Sequence, residues 1–295
     1  MSRKPRINKP TISIVGAGSL ANSLAKALHD SGFSILEIIA RDSPPSQRRA
    51  RALAAKVGAR AVSAASARLD AHLLWFCVPD RAIRAAASDL ALHLARRGID
   101  AKTGSRFAFH SSGVLLSREL ESLRRVEVAV ASVHPLMTFV PNSQPSFDSV
   151  PFALEGDTAA VQVARQIVAQ LGGESFQLPA ARKAAYHAWA TMTSPLFLAF
   201  LVTLEQAARV GGLTPADARR KSLPIIRQTL ENYLSLGSKK SFSGPLIRGD
   251  AETVAKHMQI LEKDPVVREV YRSLATVALR QLPVKNKKLF KKLLG

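Results

Sequence analysis

Residues 11–21 read Thr-Ile-Ser-Ile-Val-Gly-Ala-Gly-Ser-Leu-Ala, a short apolar strand that runs into a helix rich in Ala and Leu. Gly16 permits the tight turn, Gly18 lets a pyrophosphate approach the backbone, and the small Ala21 lets the helix pack closely on a sheet. Free N–H groups at the helix start would face the phosphates. The dinucleotide-binding residues predicted from this turn are Gly16, Ala17, Gly18, Ser19 and Leu20. The alternative is a strand-to-helix turn that binds no ligand.

Strand-like and helix-like segments alternate after this turn as far as residue 178. This alternation predicts an α/β fold with a Rossmann-like, doubly wound parallel sheet. Strand patterns disappear from Ala180 onward, and 181–210, 215–234, 251–261 and 265–282 read as helices. We therefore predict a dinucleotide-binding domain at 1–178 and an all-α C-terminal domain at 179–295.

The charge balance is strongly basic, with 42 Lys and Arg against 22 Asp and Glu, a net charge of +20. Much of this excess lies at the two ends, at Arg3, Lys4, Arg6, Lys9, Lys285, Lys287, Lys288, Lys291 and Lys292. Because no RNA-binding or helix-turn-helix signature accompanies these residues, we expect solvated termini and no specific nucleic acid partner. The tail 284–294 has the pattern of a short basic amphipathic helix, which leaves weak contact with a membrane surface open.

The cellular setting is predicted from apolar runs and cysteine content. The longest fully apolar run, Leu196 to Val202, is well short of the roughly 18 residues that a transmembrane helix needs. The first residues lack the apolar stretch of a secretory signal, so we expect a cytoplasmic protein without a transmembrane segment. Cys77 is the only cysteine, which excludes an intramolecular disulfide and a cysteine metal cluster. No metal site is predicted.

The end of the second predicted strand sets the choice between NAD and NADP. Arg41 can hold the 2′-phosphate of NADP with two N–H groups, and Ser43 can add a hydroxyl. Asp42 is the complication, because an acid at this point can bind the ribose of NAD instead. We predict NADP, with Val78 and Pro79 at the end of a later strand as a further wall of the cofactor site.

Two histidine-containing segments follow predicted strands and place polar groups where a reaction would need them. In His110-Ser-Ser-Gly113, Ser112 can orient a substrate or simply cap a helix. His134 precedes Pro135, which biases its backbone away from helical geometry. It is a candidate proton donor, and a structural hydrogen bond is the alternative.

The helix predicted from residue 181 carries His187, Thr191 and Ser194 on one face, since their spacing is i, i+4 and i+7. Pro195 is expected to kink this helix, and Lys183, one turn before His187, reads as an exposed lysine. His187 is the second candidate proton donor, although a polar stripe between packed helices is the alternative.

A second polar segment of the helical domain contains Arg248 and Asp250. Arg248 can pair with a substrate acid, and Asp250 is a candidate helix cap. Thr253 and His257, one turn apart, could face the same cleft.

The assembled motifs resemble a family that joins an N-terminal Rossmann-like NADP-binding domain to a C-terminal helical domain of unknown function. That family is distantly similar to pyrroline-5-carboxylate reductase, to deazaflavin-dependent NADP reductases and to 6-phosphogluconate-type dehydrogenases. The motifs that carry the resemblance are Gly16-Ala-Gly-Ser-Leu-Ala21, His110-Ser-Ser-Gly113, His134-Pro-Leu-Met-Thr-Phe139, Tyr186-His187, Gly244-Pro-Leu-Ile-Arg-Gly-Asp250 and His257. The resemblance implies a homodimer formed through the helical domain and a site between the two domains.

The chain departs from this family at Pro195, where Asn is common after the small residue Ser194. It also lacks the Lys followed by paired Asn that hydroxyacid dehydrogenases of the broad class use for proton transfer. The function expected is an NADP-dependent oxidoreductase acting on a small carbonyl or imine substrate. His134 or His187 would donate the proton, and Ser112 and Arg248 would orient the substrate. A non-catalytic NADP-binding sensor or assembly protein is the alternative, and a nucleic-acid-binding protein is a third reading that rests on charge alone.

Overall fold

The computed structural model describes residues 9–97 and 106–294, and the chain divides into two compact units. The first unit runs from Met1 to Thr191 and the second from Met192 to Gly295. The domain boundary predicted from the sequence lies earlier, after residue 178. By its contacts, the helix that follows residue 178 belongs to the first unit. Three basic residues of the N-terminal segment, Arg3, Lys4 and Arg6, lie outside the described residues.

An eight-stranded sheet forms the centre of the first unit. Its strands are β1 (Ile12–Val15), β2 (Ile35–Ala40), β3 (Arg60–Ser63), β4 (Leu73–Phe76), β5 (Phe107–His110), β6 (Ala129–Pro135), β7 (Pro151–Gly156) and β8 (Glu174–Gln177). Their spatial order is β3-β2-β1-β4-β5-β6-β7-β8. The pairs from β3 to β6 are parallel, whereas β7 is antiparallel to β6. The sheet is therefore mostly parallel, and the reversal at β7 follows from the absence of a crossover helix between β6 and β7.

Helices pack on both faces of this sheet. They are α1 (Ser19–Asp30), α2 (Pro44–Val57), α3 (Asp80–Arg96), α4 (Glu121–Arg124) and α5 (Thr158–Gln170). Helix α6 (Lys183–Thr193) instead contacts the carboxyl end of β6. Neighbouring residues of β1 enter opposite clusters, because successive side chains of a strand point to opposite faces. Ile14 packs with residues of α1, α2 and α5, whereas Val15 packs with residues of α3 and α4. The doubly wound arrangement predicted from the sequence is confirmed.

The second unit is helical throughout its described residues. Its helices are α7 (Pro195–Val210), α8 (Pro215–Ser241), α9 (Pro245–Arg248), α10 (Ala251–Ile260), α11 (Pro265–Gln281) and α12 (Lys287–Leu294). Helix α8 is kinked at Gly237, whose φ is +74°. Helix α12 buries Phe290 and Leu294 in a cluster with Val254 and Leu279. The apolar side of the basic tail is thus part of the protein core and is not free to enter a membrane surface.

The long apolar helix predicted at 181–210 is two helices, α6 and α7. The break lies at Ser194 (φ −121°, ψ −77°), next to Pro195, which has no N–H to continue the helical hydrogen bonds. By length and composition, Ala180–Val210 is apolar enough to cross a membrane, with a mean hydropathy of 1.3 and 6% of that apolar window buried. The prediction of no transmembrane segment was based on the longest uninterrupted apolar run, and this interrupted segment is therefore absent from it. A single such segment is weak evidence for a membrane span.

Candidate active site

The glycine turn after β1 has the geometry that a dinucleotide requires. Gly16 has a φ of +115°, and a Cβ at this position would lie 2.5 Å from the carbonyl oxygen of Cys77. Gly18 precedes α1 with open space around the position of a Cβ. Ala21 is fully buried against the sheet. Each small residue therefore has the steric role that the sequence predicts for it, and the start of α1 is open to a ligand.

This turn opens on a cavity of about 1000 Å³ at the carboxyl ends of β1, β2 and β4. Of the predicted cofactor residues, those lining the cavity are Gly16, Ala17, Gly18, Ser19, Arg41, Val78 and Pro79. Leu20 packs instead against the hydrophobic core, and the Ser43 hydroxyl donates a hydrogen bond to Ser46 Oγ at 3.0 Å. Cys77 also lines the cavity, and burial raises the pKa of its thiol to about 12.

Three cations, Arg41, Arg49 and Lys56, line the part of the cavity near the end of β2, together with Asp42. Within the described residues, no ion pair is formed by any of the three cations. The sequence analysis identified Arg41 and missed the other two. The signal was present, because Arg49 and Lys56 are seven residues apart on α2 and so share one helical face. The cluster provides guanidinium and ammonium donors for a phosphate group.

The loop that follows β5 is hydrogen-bonded to Asp80 beside this cavity and contacts a histidine cluster, but neither residues 111–113 nor the two histidines His134 and His187 line the cavity. Ser111 accepts a hydrogen bond from Trp75 Nε1 at 2.9 Å, and Ser112 donates one to Asp80 Oδ2 at 2.8 Å. Asp80 directly follows the cavity residue Pro79. Because β4, β5 and β6 are parallel neighbours, their carboxyl ends meet at one edge of the sheet, where His134 also lies.

The histidine cluster itself combines His134 from β6 with Tyr186 and His187 from α6. His134 Nδ1 lies 2.8 Å from the Tyr186 hydroxyl, and the rings of His134 and His187 have centroids 6.1 Å apart. A Cβ at Gly113 would lie 2.8 Å from His134 Nε2 and would overlap the His187 ring. Only glycine therefore allows this close approach of the loop to both histidines, and both candidate proton donors are found in one place.

Burial controls the protonation of this cluster. It lowers the pKa of His134 to about 4, with further contributions from the nearby charges of His187, Lys183 and His110. Burial also raises the pKa of Tyr186 to about 12. At neutral pH, His134 is therefore an uncharged imidazole and Tyr186 an uncharged phenol, and the pair can donate and accept hydrogen bonds without a full charge.

His110 is a structural histidine beneath this cluster. Its Nδ1 accepts from the Ser112 backbone N–H at 3.2 Å, and its Nε2 lies 2.9 Å from the Leu116 carbonyl oxygen. Because a carbonyl can only accept, Nε2 carries the proton. Burial lowers the pKa of His110 to about 4, so the ring stays neutral and fixes the loop.

Lys183 is the residue that the sequence analysis misread. It was expected to be exposed, but it is 2% exposed and its ammonium group donates a hydrogen bond to Ser132 Oγ. Burial lowers its pKa to about 8, an effect partly opposed by the carboxylates of Glu155 and Asp80. The i, i+3, i+4 spacing of Lys183, Tyr186 and His187 was the available signal, since it places all three on one helical face.

Two other predicted residues have identified partners. Ser112 is 5% exposed, and its Oγ also accepts from the Leu115 backbone N–H at 3.0 Å, so it shapes the loop as a cap would. Arg248 lies in the second unit, where its Nε donates to Asp250 at 2.8 Å. Asp250 precedes α10 without a side-chain capping bond. Among the described residues, no group of three or more His, Cys, Asp and Glu could hold a metal ion.

Two family models match the chain. Residues 11–101 match a model described as NADP oxidoreductase, coenzyme F420-dependent, and residues 150–278 match a domain of unknown function, DUF2520. The chain joins an NADP oxidoreductase domain to a DUF2520 domain. This combination confirms the resemblance on which the sequence analysis relied. No curated protein sequence matches this DUF2520-containing chain.

Solved structures share the fold over nearly the whole chain. A candidate NADP oxidoreductase from Bacteroides fragilis is 23% identical, with a TM-score of 0.72 over 91% of this chain and 97% of that one. A reductive aminase from Aspergillus terreus in complex with NADPH is 15% identical, with a TM-score of 0.62 over 97% and 99%. A pyrroline-5-carboxylate reductase from Coxiella burnetii is 14% identical, with a TM-score of 0.58 over 89% and 96%. The fold is thus that of NADP-dependent reductases.

Proposed function

We propose that this protein is an NADP-dependent oxidoreductase that reduces a small carbonyl or imine substrate. The observation that carries the proposal is that a cavity of dinucleotide type and a histidine cluster are linked through short contacts. Pro79 lines the cavity, the next residue Asp80 accepts a hydrogen bond from Ser112, and Gly113 lies against the neutral His134. Such a pairing of a cofactor cavity with uncharged donor groups fits a reaction in which a cofactor supplies a hydride.

NADP is favoured over NAD by the cations around the end of β2. Arg41 and Arg49 offer ten N–H donors in rigid geometry, by the general composition of a guanidinium group, and Lys56 adds a charge. Asp42 is the group that would favour NAD. We expect NADPH to bind more tightly than NADH, and Arg41→Asp to weaken NADPH selectively. Equal affinities of the native chain for the two cofactors, measured by fluorescence titration, would overturn this assignment.

The chain's own residues provide orientation and a proton. In the tautomer in which the Tyr186 O–H donates to His134 Nδ1, the proton of His134 is on Nε2, beside Gly113. A neutral imidazole N–H in this position can hydrogen-bond the substrate oxygen or nitrogen and polarise it, as neutral imidazoles do in other active sites. His187, half-buried beside it, is the proposed proton donor. Ser112 orients the substrate through the loop that it fixes, and the role of Arg248 stays a prediction.

The test is oxidation of NADPH with a panel of 2-ketoacids, ketones with amines, and cyclic imines, followed by absorbance. The wild type is expected to turn over at least one of these classes. His134→Gln keeps a hydrogen-bonding side chain and should retain partial activity, whereas His187→Gln removes the proton donor and should lose more. NADPH binding by a folded protein without turnover of any class would overturn the enzymatic proposal in favour of a sensor or assembly protein.

A homodimer formed through the helical unit is also proposed. Large apolar side chains are exposed along α7 and α8, namely Leu196, Leu198, Val202, Leu223, Ile225, Leu230, Tyr233, Leu234 and Leu236. Monomeric proteins rarely expose so large an apolar surface. A second copy of the chain would cover it.

A cytoplasmic location is proposed as well. The chain has one cysteine, the half-buried Cys77, and so has no intramolecular disulfide that would need an oxidising compartment. Cell fractionation tests this location.

The dimer can be tested by substitution of Leu234. Because this side chain is 81% exposed in the single chain, a charge at this position should disturb the dimer contact and leave the fold of the chain intact. Light scattering with size-exclusion chromatography should give a dimer for the wild type and a monomer for Leu234→Glu. Leu92→Glu, at an apolar residue 57% exposed on α3 of the first unit, is the matched control and should remain dimeric. A wild type that is monomeric at micromolar concentration would contradict the proposal.

A further inference from the structure

The loop between β6 and β7 forms a second wall of the dinucleotide cavity. We call residues 136–150 the cleft loop and residues 140–144 its tip. All five tip residues, Val140, Pro141, Asn142, Ser143 and Gln144, line the same cavity as Gly16 to Ser19. None of the motifs predicted from the sequence extends to the tip, and the glycine turn accounts for a different part of the cavity lining.

The base of the cleft loop is fixed to the core by aromatic contacts. Phe147 is 2% exposed and lies between Phe139 and Phe152, at centroid distances of 5.6 and 5.8 Å. The Leu136 N–H donates to the Pro151 carbonyl at 2.8 Å. These contacts hold both ends of the loop, so the tip is presented to the cavity from a rigid support.

The tip itself is a turn whose side chains are exposed or half-buried. The Ser143 N–H donates to the Val140 carbonyl at 3.1 Å, and Asn142 has a φ of +65°, a conformation that Asn tolerates better than most residues. Val140 is an apolar side chain that is 52% exposed at the cavity wall. The tip thus presents two amides, a hydroxyl and an uncovered apolar group to whatever fills the cavity.

The tip is also separated from α1 by empty space. Gln144 lines a second cavity, of about 260 Å³, together with Ser23, Lys26 and Ala27 of α1. Ser23 is 4% exposed, and its Oγ has no hydrogen-bond partner. A buried hydroxyl without a partner is uncommon, and this one belongs to a residue that lines the cavity between α1 and Gln144.

We propose that the tip of the cleft loop is a clamp for the diphosphate of the cofactor. This inference rests on the proposed NADP function. The N–H groups at the start of α1 face the diphosphate from one side, and the side chains of Asn142, Ser143 and Gln144 donate to its oxygens from the other. Val140 covers the bound dinucleotide and keeps water from it. The clamp slows release of the cofactor without selecting between NADP and NAD, because the diphosphate is common to both.

Stopped-flow fluorescence of NADPH binding tests the clamp. The variant Asn142→Gly/Ser143→Ala/Gln144→Ala keeps the positive φ at 142 and removes the donors. We expect its NADPH dissociation rate to rise about tenfold, the equivalent of one or two hydrogen bonds, with a similar association rate. Thr138→Ala, an exposed residue of the same loop that lines neither cavity, is the control and should release NADPH at the wild-type rate.

Hydrogen exchange provides a readout that does not depend on substitution. NADPH should reduce deuterium uptake at residues 140–144, whereas adenosine 2′,5′-bisphosphate, which lacks the diphosphate bridge, should leave it unchanged. Unchanged uptake with saturating NADPH, or unchanged release from the triple variant, would overturn the clamp alone. A wild type that binds no NADPH would overturn the proposed function and the clamp together.

Discussion

The two ends of the candidate site are built on opposite principles. The cofactor end is a wide cavity shaped by backbone, with a glycine at φ +115° and cations that have no ion pair within the described residues. The reaction end is a compact cluster of side chains from β5, β6 and α6, in which burial keeps His134 neutral. One end is prepared for a charged ligand, whereas the other holds a neutral imidazole beside the buried Lys183. We infer that binding of the cofactor and activation of the substrate can be altered separately.

The largest effect is expected at Gly16. Gly16→Ala forces a Cβ onto the Cys77 carbonyl in a conformation that L-residues avoid, so the turn must move. NADPH affinity should fall about 1000-fold, or about 4 kcal/mol. Isothermal titration measures this loss. Gly58→Ala, also at positive φ but with open space around the Cβ position, is the control and should bind NADPH normally.

The matching change at the reaction end is Gly113→Ala. Its Cβ would displace His134 and His187, and small misplacements of reacting groups cost about 100-fold in rate. We expect kcat/KM to fall about 100-fold and the Kd for NADPH to stay unchanged. The control Val114→Ala should have the wild-type values of kcat/KM and of the Kd. If Gly113→Ala weakened NADPH binding as much as turnover, the two ends would not be separable.

The pH dependence of stability should reveal the neutral histidines. The pKa values of His110 and His134 are lowered from 6.5 to about 4 in the folded protein, so the unfolded chain binds more protons between these values. The free energy of unfolding should therefore fall as pH drops from 6.5 to 4, by about 1.4 kcal/mol per pH unit for each histidine. Urea denaturation at several pH values between 4 and 6.5 measures this change in the free energy of unfolding. His134→Gln should reduce the slope of this pH dependence.

The smallest expected effect is at Arg49. Removing one of three cations from the cavity should weaken NADPH binding about tenfold and leave NADH binding unchanged, because only NADPH carries the 2′-phosphate. Fluorescence titration of Arg49→Ala with each cofactor measures the ratio of the Kd for NADPH to the Kd for NADH. Arg48→Ala changes the neighbouring exposed arginine of α2, which does not line the cavity, and should match the wild type. Equal weakening of both cofactors would mean that Arg49 does not contact the 2′-phosphate.

The difference between the two ends also explains what the sequence could predict. The glycine turn, the strand alternation and Arg41 depend on neighbours within the chain, and the structure has them where they were expected. The reaction end depends on contacts between distant segments. Helical spacing could place Lys183 and His187 on one face, but it could not tell that this face would pack against β6, where burial reverses the expected exposure of Lys183.

The cleft loop was beyond sequence reasoning for a related physical reason. Its polar tip, with Pro, Asn, Ser and Gln, has the composition of an ordinary surface turn. Its position near α1 follows from the antiparallel return of β7 beside β6 and from the burial of Phe147, neither of which leaves a periodic pattern.

The helix break at Ser194 was expected from Pro195. The contacts that place α6 in the first unit were not expected, because they join segments that are distant in the sequence.

Helix α12 has a practical consequence for handling this protein. Phe290 and Leu294 complete the core of the second unit, so α12 is part of its folded interior. Removing residues 287–294 would uncover Val254 and Leu279. A variant shortened in this way should therefore have a less stable second unit.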